Sequence, residues 1–168
     1  MTDPGIPKVL ELYRNFARFP MGKWLFSKLV CLRAPYFSSI APRFAELGPG
    51  AALVTMRNRR RVRNHIGTVH AIAICNLCEL AAGTMTEVSM PRGMRWIPKG
   101  MTVEYLAPAK TSLRASATIP GPVVFGDAFE LPVSTEVTDR HGTVVVRAVI
   151  RMWISPRKTS GKPISEGA

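Results

Sequence analysis

The sequence predicts an α+β fold in which an antiparallel sheet wraps around one central helix, with a helical extension before it. Apolar residues recur every three or four positions over residues 6–34 and again over 68–83, as in amphipathic helices. From about residue 101 onward the apolar period changes to two, which is typical of half-buried strands. A long helix followed by such strands is the order expected of an α+β layer.

Length and composition limit the class of protein. The chain has 168 residues, of which 46% are apolar and 20% charged, so it can build one real core and global disorder is excluded. No run of about 18 uncharged apolar residues is present, so we expect no membrane-spanning segment. The N-terminus lacks the pattern of a secretory signal. Three cysteines are an odd number, which favours reduced thiols and a cytoplasmic location.

The chain is strongly basic. Lys and Arg number 23 against 11 Asp and Glu, a net charge of +12, which favours an anionic partner such as nucleic acid, anionic lipid or a polyanionic small molecule. Part of this charge is concentrated in seven positions that hold five arginines: Arg57, Arg59, Arg60, Arg61 and Arg63. A solvated strand edge explains such a cluster equally well.

Residues 1–34 are predicted to form the helical extension. Pro20 interrupts the helical period, and the second helix ends before Pro35. That second helix carries three basic residues, and a basic amphipathic helix can lie on a membrane surface, although packing on its own domain is commoner. Residues 35–155 form the main domain, and they begin with a loop that has one helical turn around Arg43–Leu47.

The central helix is predicted over residues 68–83, with Thr68 as the N-cap and Gly83 as the end. One strand or a bent strand pair precedes it at residues 51–63. Asp139 to Gly142 forms a hairpin connection between the last two strands. The alternating segments after the helix are residues 101–105, 113–119, 131–137 and 144–154. Residues 156–168 are rich in Pro, Gly, Ser and Lys and are predicted to be a disordered tail.

The most informative motif lies at the start of the central helix. Asn64 stands six residues before His70, and Glu79 stands nine residues after it. Together with Gly67, this spacing resembles the hotdog-fold thioesterases of the phenylacetate-degradation type, whose pattern is Asn, Gly and then His-Gly-Gly at the helix start, with an acid nine residues on. With Arg-Trp-Ile-Pro-Lys-Gly at 95–100, residues 35–155 look closest to an uncharacterised branch of that superfamily. Ala71 departs from the pattern, since the family usually has Gly there, and the closest relatives often have Asp where Glu79 stands.

The resemblance implies an acyl-CoA thioesterase that needs no metal or other cofactor. Its catalytic residues would be Glu79, Asn64, His70 and Ala71. A helix N-terminus presents unpaired N–H groups and positive charge, so the Ala71 N–H suits a thioester carbonyl that gains negative charge. Glu79 would attack the carbonyl or activate water, and both roles stay open.

Asn64 and His70 have supporting roles in this prediction, and each also has a structural alternative. Asn64 would hold the attacking water or orient Glu79, but it can equally be an ordinary turn former. His70 would hydrogen-bond locally and fix the helix start, with a further polar role toward the thioester, but it can also be a purely structural histidine.

Helix geometry predicts a site shared between two chains. Ala71 and Glu79 are eight residues apart, which is about 12 Å along one helix, too far for one carboxylate to serve a carbonyl at its own helix start. Two antiparallel helices that cross near Cys75 would solve this, because Glu79 of one copy would lie beside Ala71 of the other. Small residues on that face, including Cys78 and Ala82, would allow close approach. We therefore expect a homodimer or a dimer of dimers.

Substrate contacts are predicted from charge and from the loop. Arg59, Arg61, Arg95 and Gly67 would bind the substrate, the arginines through the phosphates of coenzyme A. The N-terminal helices would cap an acyl tunnel through Trp24, Leu25, Leu29 and Phe37, which favours medium or long chains.

Other functions fit the sequence less well. A non-catalytic hotdog module that binds acyl-CoA or lipid is the main alternative. A nucleic-acid partner is not expected, because the arginines lack aromatic stacking neighbours and a known reading motif. Cys75 and Cys78 lack the further ligands of a zinc site, so we expect small core cysteines. A dehydratase would need an Asp and a His in one loop, which is not found.

Overall fold

A six-stranded antiparallel sheet wraps around one long helix in the computed structural model, which describes residues 7–157. The helices are α1 (Lys8–Ala17), α2 (Gly22–Arg33) and α3 (Ala71–Ser89), and short 3-10 helices occupy Pro35–Ile40 and Arg60–Val62. The strands are β1 (Arg43–Gly48), β2 (Ala51–Met56), β3 (Met94–Tyr105), β4 (Leu113–Thr118), β5 (Phe129–Thr138) and β6 (Val144–Pro156). Their order in the sheet is β1-β2-β4-β5-β6-β3. The predicted fold class is confirmed.

The core lies between α3 and the concave face of the sheet. Alternate residues of the central strands are fully buried there, including Val54, Ala115, Val133 and Ile150. Ala81 and Ala82 of α3 are also fully buried, and such small side chains let the helix lie close to the strands. By length and composition α3 alone among the described helices could cross a membrane, but 61% of its most apolar window is buried in the fold. We interpret α3 as the core helix.

The bounds of α3 correct the sequence prediction at both ends. Thr68 is not the N-cap, because the Val69 N–H donates to the Ala109 carbonyl and the His70 N–H to the Val62 carbonyl, which holds the chain extended to residue 70. Gly83 does not end the helix either. The Trp96 ring occupies the space where a Cβ at residue 83 would lie, only 2.6 Å from it, so this glycine is an interior packing position.

The predicted helical turn at Arg43–Leu47 is also wrong, because these residues form β1. One edge of β1 pairs with β2, and helix α2 covers the other edge. The Phe44 N–H donates to Ser27 Oγ at 2.9 Å, and the Ala45 carbonyl accepts from Lys23 Nζ at 2.6 Å and Tyr13 Oη at 3.1 Å. Local sequence favoured a loop, but these tertiary partners stabilise a strand.

The remaining elements differ little from prediction. The N-terminal helical period does break at Pro20, between α1 and α2. The first strand after α3 begins at Met94 and not near residue 101, with a bulge between Pro98 and Gly100. The hairpin is confirmed: Asp139 Oδ1 accepts from the N–H groups of His141 and Thr143. Strand β6 continues to Pro156, and the rest of the predicted tail lies outside the described residues.

Candidate functional site

A stripe along α3 carries the residues that the sequence singled out. Ala71, Cys75, Glu79, Gly83 and Glu87 are spaced four apart, so they form a continuous stripe that turns by about 40° at each step around the helix. Strand β3 runs beside this stripe. The Tyr105 hydroxyl lies 3.3 Å from Cys75 Sγ, and Trp96 Nε1 donates to Glu87 Oε2 at 2.8 Å. Strand β3 therefore contacts the stripe near both of its ends.

The loop before α3 is organised by Asn64. Its Oδ1 accepts from the N–H groups of Ile66 (3.2 Å) and Thr68 (3.1 Å), and its Nδ2 donates to Thr68 Oγ1 at 2.7 Å. Gly67 lies at the exposed tip with a φ of +84°, a conformation that favours glycine. The Asn64 side chain thus builds the loop, as in the turn-former alternative, and its role toward water or Glu79 stays a prediction.

The helix start is capped but keeps a free donor. His70 Nδ1 accepts from the Ile72 N–H at 3.1 Å, so the imidazole is the N-cap of α3. Within residues 7–157 no acceptor lies opposite the Ala71 N–H. Ala71 lines a cavity of about 410 Å³, the helix-start cavity, together with Asn64, Thr68 and Tyr105. The positive end of α3 is therefore open to a ligand with a partial negative charge.

Glu79 lies at a second cavity. This apolar cavity of about 320 Å³ is a partly open cleft lined by α1, α2, α3 and β3, and its walls include Phe26, Leu29, Phe37 and Trp96. Glu79 is half-buried, and no side-chain hydrogen bond or ion pair engages its carboxylate within the described part of the chain. A carboxylate in the wall of an apolar cavity is the kind of single polar group that fixes and acts on a bound ligand.

One chain does not bring the predicted catalytic residues together. Asn64 and Ala71 line the helix-start cavity, whereas Glu79 lines the apolar cavity.

The face of α3 that was predicted to cross the helix of a second copy also needs correction. Cys78 and Ala82 are fully buried against the sheet and cannot meet a second copy, whereas Ile72 is 56% exposed.

The cysteines have different surroundings. Burial raises the pKa of the Cys78 thiol to about 11. The contact with Cys75 raises the pKa of Tyr105 to about 12. Cys31, Cys75 and Cys78 are all free thiols, and among residues 7–157 no group of three His, Cys, Asp or Glu side chains is placed to hold a metal.

The predicted substrate-binding residues are dispersed. Arg59 lines a third cavity of about 580 Å³, the basic cavity, which lies between α2 and strands β1 and β2. Arg61 is exposed in the 3-10 helix that follows β2. Arg95 lies on β3, at the other end of the strand order, and its Nε donates to Ser155 Oγ at 3.2 Å. Within a single chain, these three arginines and Gly67 therefore do not line one common site.

Two aromatic residues at the site were not predicted from the sequence to have a role. Trp96 lines the apolar cavity and bonds to Glu87, and Tyr105 lines the helix-start cavity. Two sequence signals could have found them. The alternation of Met101, Val103 and Tyr105 places the tyrosine on the face that meets α3. A glycine within a helix, here Gly83, indicates a large neighbouring side chain, which is Trp96. Of the predicted tunnel residues, Leu29 and Phe37 line the apolar cavity, while Trp24 lines the basic cavity.

Comparisons with known proteins identify relatives of this arrangement. The model of the family described as domain of unknown function (DUF4442) matches residues 22–154. A structural-genomics protein, APC5556, is 45% identical, and the match covers 89% of this chain and 99% of that one with a TM-score of 0.77. No curated protein matches the chain.

Named thioesterases share the fold at lower identity. A probable thioesterase from Pseudomonas aeruginosa is 21% identical, with 83% of this chain and 97% of that one covered and a TM-score of 0.69. A thioesterase from Haemophilus influenzae is 13% identical, with 76% and 87% covered and a TM-score of 0.66. These likenesses establish the hotdog fold.

Proposed function

The chain belongs to the DUF4442 family and has the hotdog fold, and we propose that it hydrolyses acyl thioesters of the acyl-CoA type. The observation that carries this proposal is Glu79. Its carboxylate is half-buried on an apolar cavity, on the same helix stripe as the open N–H of Ala71, and has no partner within residues 7–157. A carboxylate and an oxyanion donor are the two groups that this hydrolysis requires.

The reaction would use both groups. The Ala71 N–H donates to the thioester carbonyl oxygen as negative charge develops there, and one such donor lowers the barrier by about 2.7–4 kcal/mol. As a general base, Glu79 removes a proton from the attacking water and passes it to the leaving sulfur as the C–S bond breaks. As a nucleophile, Glu79 displaces the thiol to form a mixed anhydride, and water then hydrolyses that anhydride and restores the carboxylate. In both routes the products are a thiol and a carboxylic acid.

The site would be completed by a second copy. Ala71 and Glu79 are about 12 Å apart on one helix, so Glu79 of the partner subunit would serve the Ala71 of this chain. Strand β3 supports this arrangement, because within the described residues it pairs only with β6 and its other edge is open. An open twelve-residue edge is a template for pairing with another strand, whereas side chains of α1 and α2 cover the edge of β1. Ile72, Ile97 and Tyr105 add exposed apolar surface beside it.

The apolar cavity is the proposed site of the acyl chain. It is mostly apolar, it is capped by α1 and α2, and Glu79 lies in its wall. Its volume of about 320 Å³ favours medium or long acyl chains over short ones. Arg59, Arg61, Arg95 and Gly67 are proposed to meet the coenzyme A portion across the assembled dimer. The three free thiols also support a reducing, cytoplasmic setting.

The test is the hydrolysis of a panel of short, long and aromatic acyl-CoA substrates, followed by thiol trapping, with the Glu79→Gln variant measured alongside. We expect turnover that falls by about 10²–10⁴-fold in the variant. Glu46→Gln is the matched control, because Glu46 is an exposed acid on β1, far along the sheet from β3. Full activity in Glu79→Gln would overturn the proposed role of the carboxylate.

A binding module is the second candidate, and the Asn64 contacts favour it. The two N–H groups that donate to Asn64 Oδ1 both belong to the loop, which is the arrangement expected of a residue that shapes the loop without acting on a water. Acyl-CoA binding without turnover of any member of the panel, by protein and Glu79→Gln variant alike, would identify the chain as such a module.

A further inference from the structure

Helix α2 exposes a large apolar face. At 100° per residue, Met21, Trp24, Leu25, Lys28 and Leu32 fall within an arc of about 100°, and we call these five residues the outer face of α2. Met21 is 72% exposed and Leu32 is 78% exposed, and four of the five side chains are apolar. Phe19 and Tyr36, at 68% and 70% exposed, extend the apolar surface beyond both ends of the helix.

This exposure is not the result of a poorly packed helix. The opposite side of α2 is fully engaged, since Phe26 is completely buried and makes edge-to-face contacts with Tyr13 and Phe44. Ser27 is also buried and bonds to β1. The helix therefore has one side in the core and a second apolar side in water, and such contiguous apolar patches mark interaction sites.

The chain segment that carries the outer face is strongly basic. Residues 12–45 contain no Asp or Glu and six basic residues: Arg14, Arg18, Lys23, Lys28, Arg33 and Arg43. The basic cavity opens beside the same face, because Trp24, Lys28 and Leu32 belong to its lining. Its other walls bring Arg43, Arg57 and Arg59 to the same space, and no acidic residue lines it.

We propose that the outer face of α2 docks peripherally on a bilayer that contains anionic lipids, with a phosphate headgroup in the basic cavity. An interfacial helix needs an apolar face flanked by Lys and Arg, and this helix has both. Trp24 and Tyr36 are amphipathic aromatics of the kind that lie at headgroup depth. Each basic residue near an anionic surface adds about 1 kcal/mol, so the cavity and the apolar face act together.

Charge favours the bilayer over a second copy of this chain. A two-fold contact through the outer face would bring Lys28 and the basic cavity of one copy against the same groups of the other, and like charges repel. A bilayer of anionic lipids supplies both the apolar medium and the opposite charge.

Docking would also place the apolar cavity close to the membrane. The inner side of α2, through Phe26, Leu29 and Val30, is a wall of that cavity, so only the thickness of one helix, about 10 Å, separates it from the bilayer. The docking proposal stands independently of the proposed hydrolysis, because its evidence is the outer face and its charge.

The test is cosedimentation of the full chain with vesicles of pure phosphatidylcholine and with vesicles in which one third is phosphatidylglycerol. We expect binding to the anionic vesicles only, weakened by salt. Leu32→Ser should lower the partition constant about tenfold, and Lys28→Gln about fivefold. Val124→Ser and Lys99→Gln are matched controls, since Val124 is exposed in the loop before β5 and Lys99 is exposed on β3, at the opposite end of the strand order from β1, which α2 covers. Circular dichroism melting verifies the fold of each variant.

A second readout separates docking from general attraction to a basic protein. Vesicles with brominated acyl chains should quench the fluorescence of the protein, and Trp24→Phe should remove most of that quenching. Anionic binding that is equally strong in Leu32→Ser and lacks quenching would overturn the proposal, as would equal binding to neutral vesicles or none to anionic ones. A change of oligomeric state in Leu32→Ser without a change in vesicle binding would assign the face to a second copy instead.

Discussion

At the scale of single residues, the start of α3 offers the N–H group on which the proposed hydrolysis depends. Ala71 is the first residue of the helix, after the N-cap His70, and its N–H has no acceptor within residues 7–157. The first helical position tolerates proline well, because its N–H takes no part in the helix and its φ is already suitable. His70 has the extended conformation that a following proline requires.

Ala71→Pro is therefore expected to remove the proposed oxyanion donor and leave the fold unchanged. We predict that kcat for acyl-CoA hydrolysis falls by about 10²–10³-fold, while the melting temperature changes little. Ala71→Ser retains the N–H and is the matched control. Normal turnover by a folded Ala71→Pro protein would show that another group stabilises the oxyanion.

Cys78 gives the fold a dependence on alkaline pH. Burial raises the pKa of its thiol from 9.0 to about 11, so above pH 9 the unfolded chain loses this proton before the folded chain does. This contribution to stability is complete below pH 9 and is lost as the pH rises to about 11. The free energy of unfolding of the wild-type protein should fall over this range by about 2–3 kcal/mol more than that of Cys78→Ala. Urea titrations of both proteins at each pH measure the difference, and parallel slopes would contradict it.

At the scale of elements, helix α2 covers the outer edge of β1 and also exposes an apolar face at the surface. Ser27 is buried, and its hydroxyl is the acceptor for the Phe44 N–H at 2.9 Å. Without this acceptor the outer edge of β1 would hold an unsatisfied buried donor.

Ser27→Ala should lower the free energy of unfolding by about 1–3 kcal/mol, the usual cost of one buried donor without an acceptor. Urea denaturation provides the measurement. Ser38→Ala, at an exposed serine in the neighbouring 3-10 helix, should change stability by less than about 0.5 kcal/mol. Equal effects of the two substitutions would mean that α2 does not satisfy the edge of β1.

At the scale of the whole molecule, the two groups proposed to be catalytic, the Ala71 N–H and the Glu79 carboxylate, line different cavities of one chain. The proposed dimer predicts that two inactive variants restore each other. A mixed dimer of Ala71→Pro and Glu79→Gln has two sites. One site combines the two substituted residues and has lost both groups. The second site combines the intact Ala71 of the Glu79→Gln chain with the intact Glu79 of the Ala71→Pro chain.

Mixing equal amounts of the two variants after unfolding and refolding should therefore recover about a quarter of the wild-type rate, because half of the dimers are mixed and each has one intact site. Refolding each variant alone is the control. If the mixture stays inactive although mixed dimers form, both groups act within one chain and the composite site is wrong.

Much of this protein is determined by local sequence. The periods of 3.6 and 2 specify helices and half-buried strands without any knowledge of their partners, which is why the fold class, the break at Pro20 and the Asp139 hairpin were predictable. The spacing of Asn64, His70 and Glu79 likewise identified the family resemblance, although the N-cap was predicted two residues too early, at Thr68. These features depend on contacts a few residues apart.

The tertiary structure decided the rest, because the deciding partners are distant in sequence. Residues 43–48 become a strand through β2 and Ser27, and Gly83 stays within a helix because the Trp96 ring fills its side. The bonds from Val69 to Ala109 and from His70 to Val62 move the helix start to Ala71. Only the packed chain shows that Glu79 borders a cavity lined by α1 and α2, apart from the helix start, because a cavity forms between surfaces that are distant in sequence.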